Sequence, residues 1–164
     1  MSDKEQKVEV KEEVTTKKTT PKKSENLVIV RVRGVININS QLKSTFDMLN
    51  LINKNGCVVV KNNPVNVGMI NKVKDYVTWG ELDESVHKEL MEKKADEFKS
   101  RTEDSKKLYK YNFVEYNKKK YKKFIRLHPP RKGYGKNGIK KSFKEGGALG
   151  NRGSKINDLL KNMM

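Results

Sequence analysis

The chain has 164 residues, 34% of them hydrophobic and 35% charged, with a formal net charge of +17 at pH 7. That length leaves room for one domain of roughly 100 residues plus extensions, and that composition concentrates the core in part of the chain, with the rest ordered by a partner or not at all. The lone Cys57 excludes an internal disulfide and a multi-cysteine zinc site. No apolar run approaches the roughly 20 residues that span a bilayer, and no secretory signal opens the chain, so a soluble protein of a reducing, cytoplasmic compartment is expected.

Residues 1–25 mix seven lysines with six acids and carry only Val8, Val10 and Val14 as medium-sized apolar residues, which predicts a disordered leader. At Leu27 the composition turns β-branched, and the alternation of Val28, Val30 and Val32 predicts the first strand. Ser40 is placed to cap a helix in which Leu42, Phe46 and Leu49 recur at spacings of three and four, with Thr45 and Ile52 beside them. Gly56 punctuates its end, and Cys57 to Lys61 reads as a second strand before the turn at Asn62-Asn63-Pro64. A second helix is predicted from Met69, Ile70, Val73 and Val77, closed by Trp79-Gly80, and a third from Asp83, with Val86, Leu90 and Met91 inward.

Between residues 93 and 123 the pattern weakens into charges with scattered Phe98, Leu108, Tyr109, Phe113 and Tyr116, which predicts a partly helical insertion. Phe124 to His128 restores a strand, ended by Pro129-Pro130. Finally Ser154 is placed to cap a helix striped by Ile156, Leu159, Leu160 and Met163, a short helix whose apolar stripe needs cover from the domain or from a neighbouring protein. The order is β-α-β-α-α-insert-β followed by a basic loop and a C-terminal helix, an α+β chain. Its expected units are a leader at 1–25, a core at 26–128 with the helical insertion at 93–123, and a basic extension at 129–164. Connection rules alone pair the first two strands in parallel.

The densest chemistry lies between Asn117 and Lys144, where ten lysines and two arginines stand without one acid. Tyr121, Phe124, Tyr134 and Phe143 interleave with them, and Pro129, Pro130, Gly133, Gly135 and Gly138 break the run. Such a segment repels itself until a polyanion neutralises it, and each phosphate so neutralised releases counterions, which gives tight, salt-sensitive binding. Rings can stack on unpaired bases, an arginine fork can grip phosphate oxygens, and glycines let backbone approach backbone, a combination that points to RNA. A plain solvated tail is the simpler alternative. Membrane binding would need an amphipathic helix that the two prolines preclude.

Catalytic chemistry finds little support. Gly133-Tyr134-Gly135-Lys136-Asn137-Gly138 spells G-x-G-x-x-G, but no strand leads directly into it and no βαβ unit follows. His87 and His128, the only histidines, lie far apart in sequence; His87 is expected on an exposed helix face and His128 at the mouth of the basic loop. Glu81, Asp83 and Glu84 read as capping groups at a helix start, so no metal is assigned. Trp79 is expected as a core-edge ring rather than a base platform, and Cys57 as an inert buried thiol. No cofactor is expected.

Several segments then appear in the order of one ribosomal family. Val28 to Gly34, the helix from Ser40, Cys57-Val-Val-Val-Lys, Asp75-Tyr-Val-Thr-Trp-Gly, Arg126-Leu-His-Pro-Pro-Arg131, Lys144-Glu-Gly-Gly-Ala-Leu-Gly-Asn-Arg152 and the closing Ile-Asn-Asp-Leu-Leu helix resemble the universal L-thirty family of large-subunit ribosomal proteins, L-seven in eukaryotes. The resemblance runs from about Leu27 to Met164. Its extended ending is similar to archaeal and eukaryotic members, and the short leader favours the archaeal type. It departs from related archaeal chains at Lys132-Gly133, where they generally have two glycines, and in a shorter insertion.

The resemblance implies a small three-stranded antiparallel sheet, half-ferredoxin-like, with the first strand in the middle and helices on one face, against the parallel pairing above. It also implies a non-enzymatic constituent of the ribosome on large-subunit rRNA near the small ribosomal RNA, touching neighbouring ribosomal proteins and forming no homo-oligomer. The residues expected to meet RNA are Arg31, Arg33, Arg126, His128, Arg131, Lys132, Tyr134, Lys136, Lys140, Lys141, Lys144 and Arg152. The rivals are a free RNA-binding accessory protein or RNA chaperone, and a nucleotide-using enzyme built on Gly133 to Gly138.

Overall fold

A computed structural model describes residues 25–99 and 113–164. The predicted leader, apart from Glu25, and Leu108 and Tyr109 of the insertion lie outside the described residues. The elements run β1 (Asn26–Arg31), α1 (Ser40–Met48), β2 (Gly56–Lys61), α2 (Pro64–Lys72), β3 (Val77–Glu81), α3 (Glu84–Lys94), β4 (Phe113–Tyr116), β5 (Lys119–Lys122), β6 (Phe124–Arg126), β7 (Gly150–Asn151) and α4 (Ile156–Met163). The fold is α+β with a mixed sheet.

β1 is buried along almost its whole length because both its faces are covered, and it lies inside a five-stranded sheet of order β6-β2-β1-β3-β7. It pairs antiparallel with β2, from Asn26 opposite Lys61 to Val30 opposite Cys57, and antiparallel with β3, from Leu27 opposite Glu81 to Arg31 opposite Val77. The parallel pairing expected from connection rules is therefore wrong. The connection from Val32 to Asn55, which includes α1, is long enough for a crossover, so its length does not decide the pairing. Asn55 donates its backbone N–H to the Arg31 carbonyl at 2.8 Å, so β2 starts beside the end of β1.

The first strand does sit between two antiparallel neighbours, but the sheet has two more strands than the resemblance implied. β6 adds to β2 antiparallel, with Cys57 opposite Ile125, and β7 adds to β3 in parallel, with Thr78 opposite Gly150. Helices on one face is also corrected. Leu27 and Ile29 point into a core with Phe46, Leu49, Ile70, Val73 and Val77, under α1 and α2. Val28 and Val30 point the other way, into a core with Val86, Leu90, Ile156, Leu160 and Met163, under α3 and α4. The apolar stripe of the last helix is thus covered by the domain itself.

Four local readings change. The second helix stops at Lys72, and Val77, Trp79 and Gly80 belong to β3. The cap of α1 is Asn39, whose side chain accepts from the Gln41 N–H at 3.4 Å, and Ser154 lies in a 3-10 turn before α4. The described part of the insertion is β rather than helical: β4 and β5 form a hairpin whose tip, Asn117 and Lys118, has φ of 49° and 62°. Two successive positive φ values are the signature of a tight type I′ hairpin turn.

Candidate RNA-binding surface

The expected RNA contacts divide by burial. Arg126, His128, Arg131, Lys132, Lys136, Lys140, Lys141 and Lys144 are exposed. They follow the sheet edge at β6 and the loop between β6 and β7. The loop is braced from within. Asn137 donates its side-chain amide to the Glu145 carbonyl and its backbone N–H to Gly146 at 3.3 Å, while Ala148 and Leu149 donate to the Lys141 carbonyl at 3.0 and 3.1 Å. A Cβ at Gly135, whose φ is 145°, would stand 2.7 Å from the Gly146 carbonyl oxygen. Of the G-x-G-x-x-G glycines, Gly135 thus serves backbone packing inside the loop, while Gly133 and Gly138 take φ of 73° and 76° in open space.

Three expected contacts have bonds within the fold, and of these Arg31 is buried. Arg31 is 1% exposed. Its guanidinium donates to the carbonyls of Arg33, Leu51, Ile52 and Gly34 at 3.0, 2.5, 2.8 and 3.2 Å and lies 4.0 Å over the Phe46 ring. Its position at the inward-facing end of β1 fixes this role, and burial pulls its pKa below the ordinary value, with Asp47 opposing. Arg152 is half-buried; its Nε donates to Thr78 Oγ1 at 2.9 Å and its Nη2 to the carbonyls of Tyr134 and Ala148 at 3.2 and 3.1 Å. Tyr134 donates its hydroxyl to Asn55 Oδ1 at 2.7 Å, and burial pushes its pKa up to about 12 despite Arg152 nearby. Together Arg152 and Tyr134 fasten the basic loop to the sheet.

Arg33 is intermediate. One of its nitrogens donates to the Asp75 carbonyl at 3.1 Å and its guanidinium lies 4.8 Å over Tyr76. Cys57 is fully buried, its thiol pushed up to about 12 by desolvation. His87 is half-buried rather than exposed, edge-on to Tyr116 at 5.7 Å, and desolvation lowers its pKa. Among the described residues no cluster of three or more His, Cys, Asp or Glu could hold a metal ion. No described helix is long and apolar enough to cross a membrane.

Comparison with known proteins places this surface in context. The family model described as ribosomal protein L30p/L7e matches residues 27–77, from β1 to the start of β3. The chain is 40% identical to the large ribosomal subunit protein uL30 of Methanopyrus kandleri over 81% of this chain and 100% of that one. It is 42% identical to that of Nanoarchaeum equitans, over 80% and 94%, and 43% identical to that of Methanococcus maripaludis, over 83% and 97%. The chain belongs to the uL30 family.

Within this uL30 chain, sequence reasoning missed two basic features. The β4–β5 hairpin carries Lys118, Lys119, Lys120 and Lys122; Lys119 and Lys122 pair with Glu97 and Asp96 at 3.7 and 3.6 Å, and Lys120 lies 4.8 Å over the Phe113 ring. Their signal was present in the charge count but was not carried into the choice of contact residues. The second feature is a groove that brings Lys74 and Trp79 beside Lys140 and Lys141. Residues about sixty positions apart meet there only because β7 joins β3, which no local pattern announces.

Proposed function

We infer that this uL30 chain is a structural, non-catalytic constituent of the large ribosomal subunit. It binds large-subunit rRNA through Arg126 at the end of β6 and through His128, Arg131, Lys132, Lys136, Lys140, Lys141 and Lys144 on the loop that runs from that edge strand to β7 at the opposite edge. The observation that carries this reading is the pairing of charge with rigidity: the acid-free stretch from Asn117 to Lys144 exposes its cations on a loop fastened to β3 by Arg152. A loop held in one shape can match the shape of folded RNA, where a free tail could only neutralise it. The names of the uL30 relatives support the large subunit as its setting. We further propose that residues 129–164 act as the rRNA-binding extension of a core at 26–128, that the bound rRNA lies near the small ribosomal RNA, and that the protein works in the cytoplasm within the ribosome.

The test is salt dependence. An Arg131→Ala, Lys132→Ala, Lys136→Ala triple variant is expected to bind protein-free large-subunit rRNA more weakly and to reduce the slope of log affinity against log salt by about two to three. Unchanged affinity and slope would refute the assignment of these residues.

A further inference from the structure

The groove between β3 and the segment carrying Lys140 and Lys141 has a composition that phosphate neutralisation alone does not require. It is lined by Lys74, Asp75, Trp79, Lys140, Lys141 and Glu145, among others, and encloses about 420 Å³, within the roughly 300–1,000 Å³ of ordinary small-ligand sites. Trp79 is half-buried. It shares the face of β3 with Val77 and packs against the core under α1 and α2, which fixes the indole while leaving part of it open to the groove. Among the described residues its Nε1–H has no hydrogen-bond partner, and Lys74, Lys140 and Lys141 form no ion pair. A fixed aromatic surface with an unused donor, in a groove lined by three lysines from two parts of the chain that form no ion pair, is an arrangement suited to a nucleotide.

We propose that this groove takes one unpaired base of the RNA, stacked on the Trp79 indole, with the flanking phosphates on Lys74, Lys140 and Lys141. The proposal rests on the rRNA-binding reading above and names what that surface reads beyond charge. Stacking on an aromatic ring requires a base out of its helix, because bases inside an RNA duplex present only their edges and backbone. Asp75 and Glu145, also at the groove, supply acceptors for amino or imino groups of the base. Their charges also oppose phosphates placed away from the lysines.

Trp79 is the only tryptophan of the chain, so its emission reports this groove alone. The experiment titrates the full-length protein with an end-labelled single-stranded RNA oligonucleotide and with the fully paired duplex of the same sequence, following label anisotropy and tryptophan emission together. Saturable quenching by the single strand, in step with its binding, and much weaker quenching by the duplex are expected. Trp79→Leu is expected to lose about five- to hundredfold in affinity for the single strand with its salt slope unchanged, and Trp79→Phe to retain most of the affinity. RNA binding with unaltered emission, equal quenching by the duplex, or a Trp79→Leu variant that binds normally would overturn the proposal while leaving the rRNA-binding reading intact. Failure of both RNAs to bind would overturn that reading. Should Trp79→Leu not fold, the quenching of the unmodified protein decides the question.

Discussion

Arg31 shows why a basic residue inside a basic protein is not automatically a contact for RNA. Four backbone carbonyls surround its guanidinium and the Phe46 ring lies beneath it. The strand therefore ends on a planar fork that ties β1 to the turn before β2. Arg31→Met is expected to destabilise the fold by about 2–4 kcal/mol in urea unfolding, because it leaves buried carbonyls without donors. Arg31→Lys should recover little, since an ammonium cannot reach several carbonyls in one plane. A neutral effect of Arg31→Met would place the residue on the surface after all. The sequence showed an arginine after an apolar strand, but no pattern of types distinguishes an outward arginine from one that closes the core.

His87 provides a titration at the same scale. Its pKa in the folded protein is lowered from the ordinary 6.5 by desolvation, so below 6.5 the unfolded chain takes up a proton that the folded chain resists. Stability contributed by the neutral ring is full above that value and is lost as pH falls through 6.5 toward the folded pKa. Comparing urea midpoints at about pH 7.5 and about pH 5 should show a smaller decline for His87→Gln than for the unmodified protein. Equal declines would mean that His87 contributes no linkage.

Among the elements, β1, α1, α3 and α4 were legible because each repeats its apolar residues at one clear period, and β2 and β6 because each is a short apolar run bounded by turn residues or proline. β3 was not. Val73 and Val77 are four residues apart and continue the stripe of Ile70, so the spacing imitates another helical turn, whereas the chain turns after Lys72 and pairs Val77 to Glu81 with β1. Tertiary pairing outweighed a local period. The β4–β5 hairpin was hidden for a different reason: its turn uses Asn117 and Lys118 where Asn-Gly is the usual signal, and β5 is mostly lysine. At Gly80 the backbone of β3 lies close against the turn before α4. A Cβ there would collide with the Gly153 carbonyl oxygen and stand 2.9 Å from Ile156 side-chain atoms. Gly80→Ala should push the turn before α4 off the sheet and lower stability by roughly 1–3 kcal/mol, measurable by thermal unfolding. An unaltered midpoint would show that this joint can relax freely.

At the scale of the whole molecule, a sheet covered on both faces carries a braced cationic loop that runs from one edge strand, β6, to the opposite edge strand, β7. Most of that surface was legible, since twelve cations between Asn117 and Lys144 without an acid are visible in any reading of the chain. What remained hidden was which basic residues the fold consumes. Arg152 and Tyr134 became fasteners because β7 docks on β3, a parallel pairing of two residues that has no sequence signal. The same docking creates the groove at Trp79.

The central claim is that this chain is an integral part of the large ribosomal subunit. The most direct measurement is density-gradient sedimentation of the tagged protein from its own lysate, at low salt and after a high-salt wash. Co-migration with large subunits and whole ribosomes that persists through the wash is the predicted result. Recovery at the top of the gradient, or ready removal by salt, would contradict it and assign the chain to free RNA-binding accessory proteins.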